Sequence, residues 1–219
     1  MMKYIIMCGG RYDSWETPRH LTLVRGETLI ARTFRLLSEN FVDDICVSTN
    51  NGVIKNFCDS VGIQVLWHSK NDWVVPRPGV SSGDWCDAFY ITQEPTTYLM
   101  GDVVFSPEAI KKIVNTETDD IEFFASAPPF ADNYMKPYAE PFAFKVVNTE
   151  HLTQAQMECK NLHRLGKFRR PPLAWEFWQV VKGTQLNKID YTNYTAINDY
   201  TCDIDVPADA PKIERLMNG

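Results

Sequence analysis

The feature that most constrains this chain is an alternation. Short, largely apolar runs alternate with segments whose apolar residues recur every three or four positions: residues 4–8 precede 27–39, and 44–48 precede 52–61. A strand buried on both faces reads as an unbroken apolar run, whereas a helix lying on a sheet shows one apolar stripe. Strand-helix repetition also makes neighbouring strands parallel, because each helix carries the chain back across the sheet before the next strand begins. The expected fold is α/β, a three-layer sandwich with a mostly parallel central sheet, built as a single domain over residues 1–219.

The helix at 27–39 sets Leu29, Ile30, Thr33, Phe34, Leu36 and Leu37 on its core stripe and leaves Glu27, Arg32, Arg35 and Glu39 outside. A strand at 64–67 leads into a Pro-, Gly- and Ser-rich stretch at 69–83, long enough to suggest a functional or moving loop. Asp84 is the expected cap of a helix running through 88–94. Beyond a strand at 97–100, Ser106-Pro107-Glu108 combines an N-cap, a first-turn proline and an early acid, so a helix to about Val114 is expected. Strands are expected at 121–125 and 142–147, and helices at 151–159, at 173–182 and from Pro207 onward.

Charge and cysteine usage exclude several classes. With 22 basic against 28 acidic side chains the chain carries a formal charge of −6, and its one basic cluster is Lys167, Arg169 and Arg170. A general nucleic-acid binder needs far more clustered cations, so nucleic acid is not an expected partner. No run approaches the roughly 20 apolar residues of a bilayer span, so membrane insertion is not expected. The opening apolar run is stopped at once by Gly9-Gly10, too soon for an export signal. The six cysteines (8, 46, 58, 86, 159 and 202) form no C-x-x-C pair. They read as reduced thiols of a cytoplasmic protein, with Cys8, Cys46 and Cys202 as small buried hydrophobes.

Chemistry concentrates where strands end. Gly101-Asp102 follows the apolar run 97–100, which puts a carboxylate at the carboxyl end of a buried strand, where open α/β sheets bind ligands. Gly-Asp after a strand can equally cap the next helix, but Ser106 already fills that position. The first strand ends on Gly9-Gly10, which lets backbone N–H groups approach a phosphate, although glycine pairs also end strands for steric reasons alone. A second acidic cluster, Asp203-Ile204-Asp205, lies near the end of the chain, and period-two alternation puts both carboxylates on one side of an extended segment. Asp209 needs no site role, because the first turn of a helix favours a carboxylate anyway.

The order of these segments resembles the Rossmann-like nucleotidyltransferases that couple a nucleoside triphosphate to a phosphorylated metabolite. The matching pieces are Gly9-Gly10, Pro18-Arg19-His20-Leu21, Val24-Arg25-Gly26-Glu27-Thr28-Leu29-Ile30, the strand at 42–48, Gly101-Asp102 and Asp203-Ile204-Asp205, spread over nearly the whole chain. The resemblance implies attack by an acceptor phosphate oxygen on the α-phosphate, with release of pyrophosphate. It implies Mg²⁺ held by Asp102 and Asp205, and nucleotide contacts from Cys8, Gly9, Gly10, Arg11, Arg19 and Gly101. Arg19 stands where the family usually has lysine, and Lys136, before the strand at 142–147, resembles the second phosphate-contacting lysine. Tyr12 and Ser14 depart from the family's third glycine and its arginine, a loss of charge that Arg11 is placed to supply.

The compact size resembles cytidylyltransferases acting on small phosphorylated alcohols or amines destined for cell-surface polysaccharide or polymer, which favours CTP. A sugar 1-phosphate with UTP or dTTP is the nearest alternative. A glycosyltransferase and a non-catalytic nucleotide-binding protein are the readings from other classes; a dehydrogenase would need G-x-G-x-x-G after the first strand. Among the histidines only His20 has a functional neighbour, and His68, His151 and His163 are expected in solvent. Trp175 and Trp178, three apart on a helix, read as core or as the contact of a homodimer. Trp73 and Trp85 flank the long loop and are candidate edges of a base or acceptor pocket.

Overall fold

A computed structural model describes residues 2–9, 15–67, 89–127, 139–168, 172–186 and 193–218. In chain order its elements are β1 (Lys3–Met7), β2 (Leu23–Val24), β3 (Glu27–Thr28), α1 (Leu29–Glu39), β4 (Ile45–Thr49), α2 (Gly52–Val61), β5 (Gln64–Trp67), β6 (Thr96–Met100) and β7 (Val103–Val104). They continue with α3 (Pro107–Asn115), β8 (Ile121–Ser126), β9 (Pro141–Val146), α4 (Thr149–Arg164), α5 (Ala174–Val181), β10 (Thr195–Ile197), β11 (Cys202–Asp203) and α6 (Asp209–Leu216). Gly10, Arg11, Tyr12, Ser14, His68, the loop at 69–83, Trp73, Asp84, Trp85, Cys86, Lys136, Arg169 and Arg170 lie outside the described residues.

Seven of these strands form one sheet in the order β10-β8-β9-β6-β1-β4-β5. The pairings β1–β4, β1–β6, β4–β5 and β8–β10 are parallel, while β9 runs antiparallel to both β6 and β8. The expected mostly parallel sheet is therefore present, with β9 as its one reversed strand. Apolar runs specify burial but carry no sign for direction, so this reversal is invisible in the sequence. From β1 the chain first builds outward through β4 and β5, then returns to place β6 on the other side of β1. This change of direction opens a crevice beyond the carboxyl ends of β1 and β6, the position at which such sheets take ligands.

The strands are buried because helices cover them, and the core is aromatic where β9 is inserted. Tyr98, Phe144 and Phe123 occupy one rung across β6, β9 and β8. The Tyr98 and Phe144 rings stack at 4.7 Å between centroids, and Phe123 stacks on Phe144 at 5.5 Å. Helix α5 closes over them with Phe177 and with Trp178, which stacks on Phe123 at 5.4 Å. Trp178 is thus core, and the half-buried Trp175 meets it edge to face at 4.9 Å. A second, smaller apolar cluster joins Val24, Leu29, Val104, Cys202, Ile204, Ala210 and Ile213. It fastens the β2–β3 hairpin and α6 to the β7–β11 ribbon, which stands past the end of β6.

Several expectations need correction. Residues 89–94, expected to be helical, contain no helix. Phe89 is buried among Tyr98, Phe144 and Phe177. Helix α1 starts at Leu29 rather than Glu27, because Arg25 and Gly26 both take positive φ (51° and 79°) in a tight hairpin turn and Thr28 caps the helix by accepting from the Ala31 N–H. Arg32, placed on the outer face, is buried: its Nε donates to the Phe105 carbonyl at 3.0 Å and an Nη to the Tyr200 hydroxyl at 3.0 Å. His163 is also buried, since α4 runs past Cys159 and extends the stripe Leu152, Ala155, Gln156, Cys159 by one more turn. His151 is half-buried, its Nδ1 2.7 Å from an Asp120 carboxylate oxygen. Among the described residues no helix is long and apolar enough to cross a membrane.

Candidate active site

The crevice is floored by the ends of β1 and β6. Gly101 donates its N–H to the Met7 carbonyl at 2.9 Å, extending the β1–β6 ladder one residue past β6. A Cβ on Gly101 would lie 2.4 Å from Cys8 Sγ, 2.5 Å from the Met7 carbonyl oxygen and 3.1 Å from His20 Cδ2. Glycine is therefore required here by close approach rather than by a left-handed backbone. Cys8 is fully buried beneath it, so its thiol shapes the floor instead of facing the crevice, and burial pushes that thiol well above its ordinary range. Gly9 is likewise buried at the end of β1.

Asp102 follows at once. It does not cap α3, since the Ser106 hydroxyl accepts from the Ala109 N–H at 2.8 Å and takes that role. Its main chain joins the ribbon instead: the Asp102 carbonyl accepts from the Ile204 N–H at 2.9 Å, next to the antiparallel rungs Val103–Asp203 and Val104–Cys202. This ribbon brings the last acidic cluster to the end of β6. Asp203 and Asp205 do not share a face, however. Asp203 is buried in the ribbon, whereas the chain leaves the strand after it and the Asp205 side chain is exposed.

The loop at 205–206 is held from α6. One Asp209 carboxylate oxygen accepts from the Asp205 N–H at 3.1 Å and the Val206 N–H at 3.0 Å, and the other from Lys212 Nζ at 2.8 Å. Burial raises the Asp209 carboxyl, but Lys212 and the two amides outweigh it and hold the group below its ordinary value. Asp209 thus does more than favour a helix end. Trp15 supports the same loop by donating its indole N–H to the Asp205 carbonyl at 3.3 Å.

Arg19 ties the halves together. It stands on a single 3₁₀ turn, Arg19–Leu21, which starts directly after Pro18. One guanidinium nitrogen pairs with the Asp102 carboxylate; the other lies 3.2 Å from an Asp205 carboxylate oxygen and donates to the Ile204 carbonyl at 3.2 Å. Two carboxylates from distant parts of the chain therefore converge on one guanidinium at the mouth of the crevice. Among the described residues no cluster of three or more His, Cys, Asp or Glu side chains forms a closed metal cage. The two hard-oxygen donors match a cation that keeps most of its own waters.

His20 lies under this pair and is fully buried. Burial pushes its imidazole down to about 4, against the pull of Asp102 and with the help of Arg19. An unfolded histidine titrates near 6.5, so the folded protein refuses a proton that the unfolded chain accepts. The stability contributed by the neutral ring is fully present above that pH and is lost as pH falls toward 4. Between pH 7 and 4.5 the unfolding free energy should drop less in His20→Gln than in the wild type, by roughly 2 kcal/mol. Urea unfolding at both pH values measures this, and equal drops in the two proteins would refute it.

The structure brings together Cys8, Gly9, Arg19, Gly101, Asp102 and Asp205 from the sequence-predicted set. Gly10, Arg11 and Lys136 fall outside the described residues. Sequence reasoning missed the bracing of the Asp205 loop by Asp209 and Trp15. The four-residue spacing of Asp205 and Asp209 was a usable signal for the first; Trp15 gave none.

No protein-family model matches the chain, and no curated protein matches it in sequence. Solved structures do. An inositol-1-phosphate CTP transferase from T. maritima superposes with a TM-score of 0.62 at 14% identity, over 99% of this chain and 94% of that one. The chain has the nucleotidyltransferase fold. A putative glucose-1-phosphate thymidylyltransferase from Bacillus anthracis gives a TM-score of 0.58 at 16% identity, over 99% and 95% of the two chains. The CTP:phosphocholine cytidylyltransferase from Streptococcus pneumoniae gives 0.51 at 15% identity, over 99% of each. The nucleotidyltransferase fold here is thus matched from end to end, with Asp102 and Arg19 at the mouth of its sheet.

Proposed function

We propose that this protein is a Mg²⁺-dependent nucleotidyltransferase that couples a nucleoside triphosphate to a small phosphorylated metabolite and releases pyrophosphate. The observation that carries the reading is the convergence of Asp102, Asp205 and Arg19 at the crevice between β1 and β6. One guanidinium holds both carboxylates at the same end of the sheet, and carboxylate oxygens are the donors Mg²⁺ prefers. When bound there, Mg²⁺ supplies neutralisation of the triphosphate charge.

The chain's own groups do the rest. The guanidinium of Arg19 can hold two phosphate oxygens at once, in the bidentate manner suited to a planar fork. The absence of a side chain at Gly101 lets it pack directly on Cys8, the Met7 carbonyl and His20, which sets Asp102 at the end of the sheet. An acceptor phosphate oxygen then forms a bond to the α-phosphorus as the bridging bond to the β-phosphate breaks, and pyrophosphate leaves. Such a transfer depends mainly on positioning and charge stabilisation. CTP is favoured because two of the three solved structures above are CTP-dependent by name. A role in supplying an activated precursor for cell-surface polysaccharide is the corresponding proposal for the product.

Thermal unfolding with CTP, UTP, dTTP, ATP and GTP, each with and without Mg²⁺, tests this. A ligand at 100 times its dissociation constant adds about 2.7 kcal/mol. A Mg²⁺-dependent shift with one triphosphate, followed by pyrophosphate release with a small phosphorylated alcohol, amine or sugar, is the expected result. No shift with any of the five would overturn the reading.

A further inference from the structure

We infer that Arg19 keeps the Asp102–Asp205 pair closed to a free divalent cation and releases it only when a triphosphate offers the guanidinium other oxygens. The inference rests on the function proposed above and adds an order of events to it: metal and triphosphate enter together.

The Arg19 guanidinium already occupies both carboxylates. Its two terminal nitrogens lie on the Asp102 and Asp205 carboxylates, and the second is also bonded to the Ile204 carbonyl. A guanidinium stays protonated at every working pH. A cation approaching these oxygens in the absence of nucleotide meets a like charge already in contact with both of them. The backbone of Arg19 is fixed, because Thr22 donates to its carbonyl at 2.9 Å and Leu21 to the Pro18 carbonyl at 2.9 Å. His20 is buried beside the floor and anchors the same turn. Movement of the Arg19 side chain opens the pair, and the exposed Asp205 carboxylate marks the side from which a phosphate would arrive.

A triphosphate changes this balance in two ways. Its oxygens accept the fork bidentately, and its own charge cancels the repulsion between guanidinium and cation. Each ligand therefore raises the affinity for the other by the same factor, since coupling between two binding equilibria is reciprocal.

Mn²⁺ is the probe, with free ion counted by its electron paramagnetic resonance signal in nucleotide-free protein. Arg19→Gln is expected to bind Mn²⁺ about tenfold or more tightly than the wild type, a change of ~1.4 kcal/mol. Arg19→Lys, which keeps the charge, is expected to stay within about threefold of the wild type, and Arg19→Gln/Asp102→Asn to lose the gain. Circular dichroism confirms that each variant is folded, and Arg19→Lys keeps the test open should Arg19→Gln not fold. Equal or weaker binding by Arg19→Gln, or binding by Arg19→Lys well above the wild type, overturns the inference. If the wild type releases pyrophosphate while Arg19→Gln gains nothing, this inference alone fails. If neither protein binds Mn²⁺ and no triphosphate yields pyrophosphate, the proposed function fails with it.

Discussion

Asp102→Asn is expected to lower pyrophosphate release in the proposed reaction by about a thousandfold or more, close to 4 kcal/mol of transition-state stabilisation, while the protein stays folded. The substitution keeps the volume and one carbonyl oxygen but removes the charge that faces Arg19 at the crevice. The loss appears in turnover because a ligand that neutralises developing phosphate charge acts most strongly in the transition state. Stability should change little. The pair is partly open to solvent, with side-chain exposures of 13% for Arg19 and 17% for Asp102, and Arg19 retains Asp205 and the Ile204 carbonyl as partners. Activity within tenfold of the wild type in a folded Asp102→Asn protein would overturn the proposed metal-binding role of Asp102.

Gly101→Ala destabilises the fold by about 3 kcal/mol or more, lowering the unfolding midpoint by roughly 6–12 °C for a chain of this size. The new methyl would sit 2.5 Å from the Met7 carbonyl oxygen and 2.4 Å from Cys8 Sγ. The sulfur can be removed by a second substitution, but the carbonyl belongs to β1 and is bonded to the Gly101 N–H. Gly101→Ala/Cys8→Ala should therefore recover only part of the loss. Full recovery would mean that β1 and β6 separate easily at their ends, and a midpoint for Gly101→Ala within 2 °C of the wild type would mean that the floor is not tightly packed. The two substitutions report on adjacent residues with opposite signatures, one in turnover and one in stability, which separates the charge at the site from the scaffold beneath it.

The site was partly legible from motifs because the fold restricts where chemistry can sit. A carboxylate directly after an apolar strand run must lie near the end of a sheet, so Asp102 was readable from its neighbours alone. The choice of Asp205 over Asp203 came from the resemblance, and only the burial of Asp203 in the β7–β11 ribbon gives it a structural reason. His20 was noticed for its neighbours, but its burial beside Gly101 depends on how the 3₁₀ turn docks on β1 and β6, which no local pattern records.

By itself the sequence determined the local structure. Largely apolar runs made β1, β4, β6 and β8 buried strands, and three-to-four spacing made α1 and α2 covering helices. Ser106 and Pro107 began α3 through a hydroxyl cap and a preset φ. These are short-range effects, written in residues a few positions apart. Tertiary structure decided what depends on distant partners. The reversal of β9, the burial of Arg32 against Phe105 and Tyr200, and the absence of a helix at 89–94 each follow from what packs alongside. So does the meeting of Arg19 with Asp205, 186 positions later in the chain. Burial periodicity is a property of one segment, whereas direction, partner choice and charge pairing are properties of two, and only the folded chain brings the second one into place.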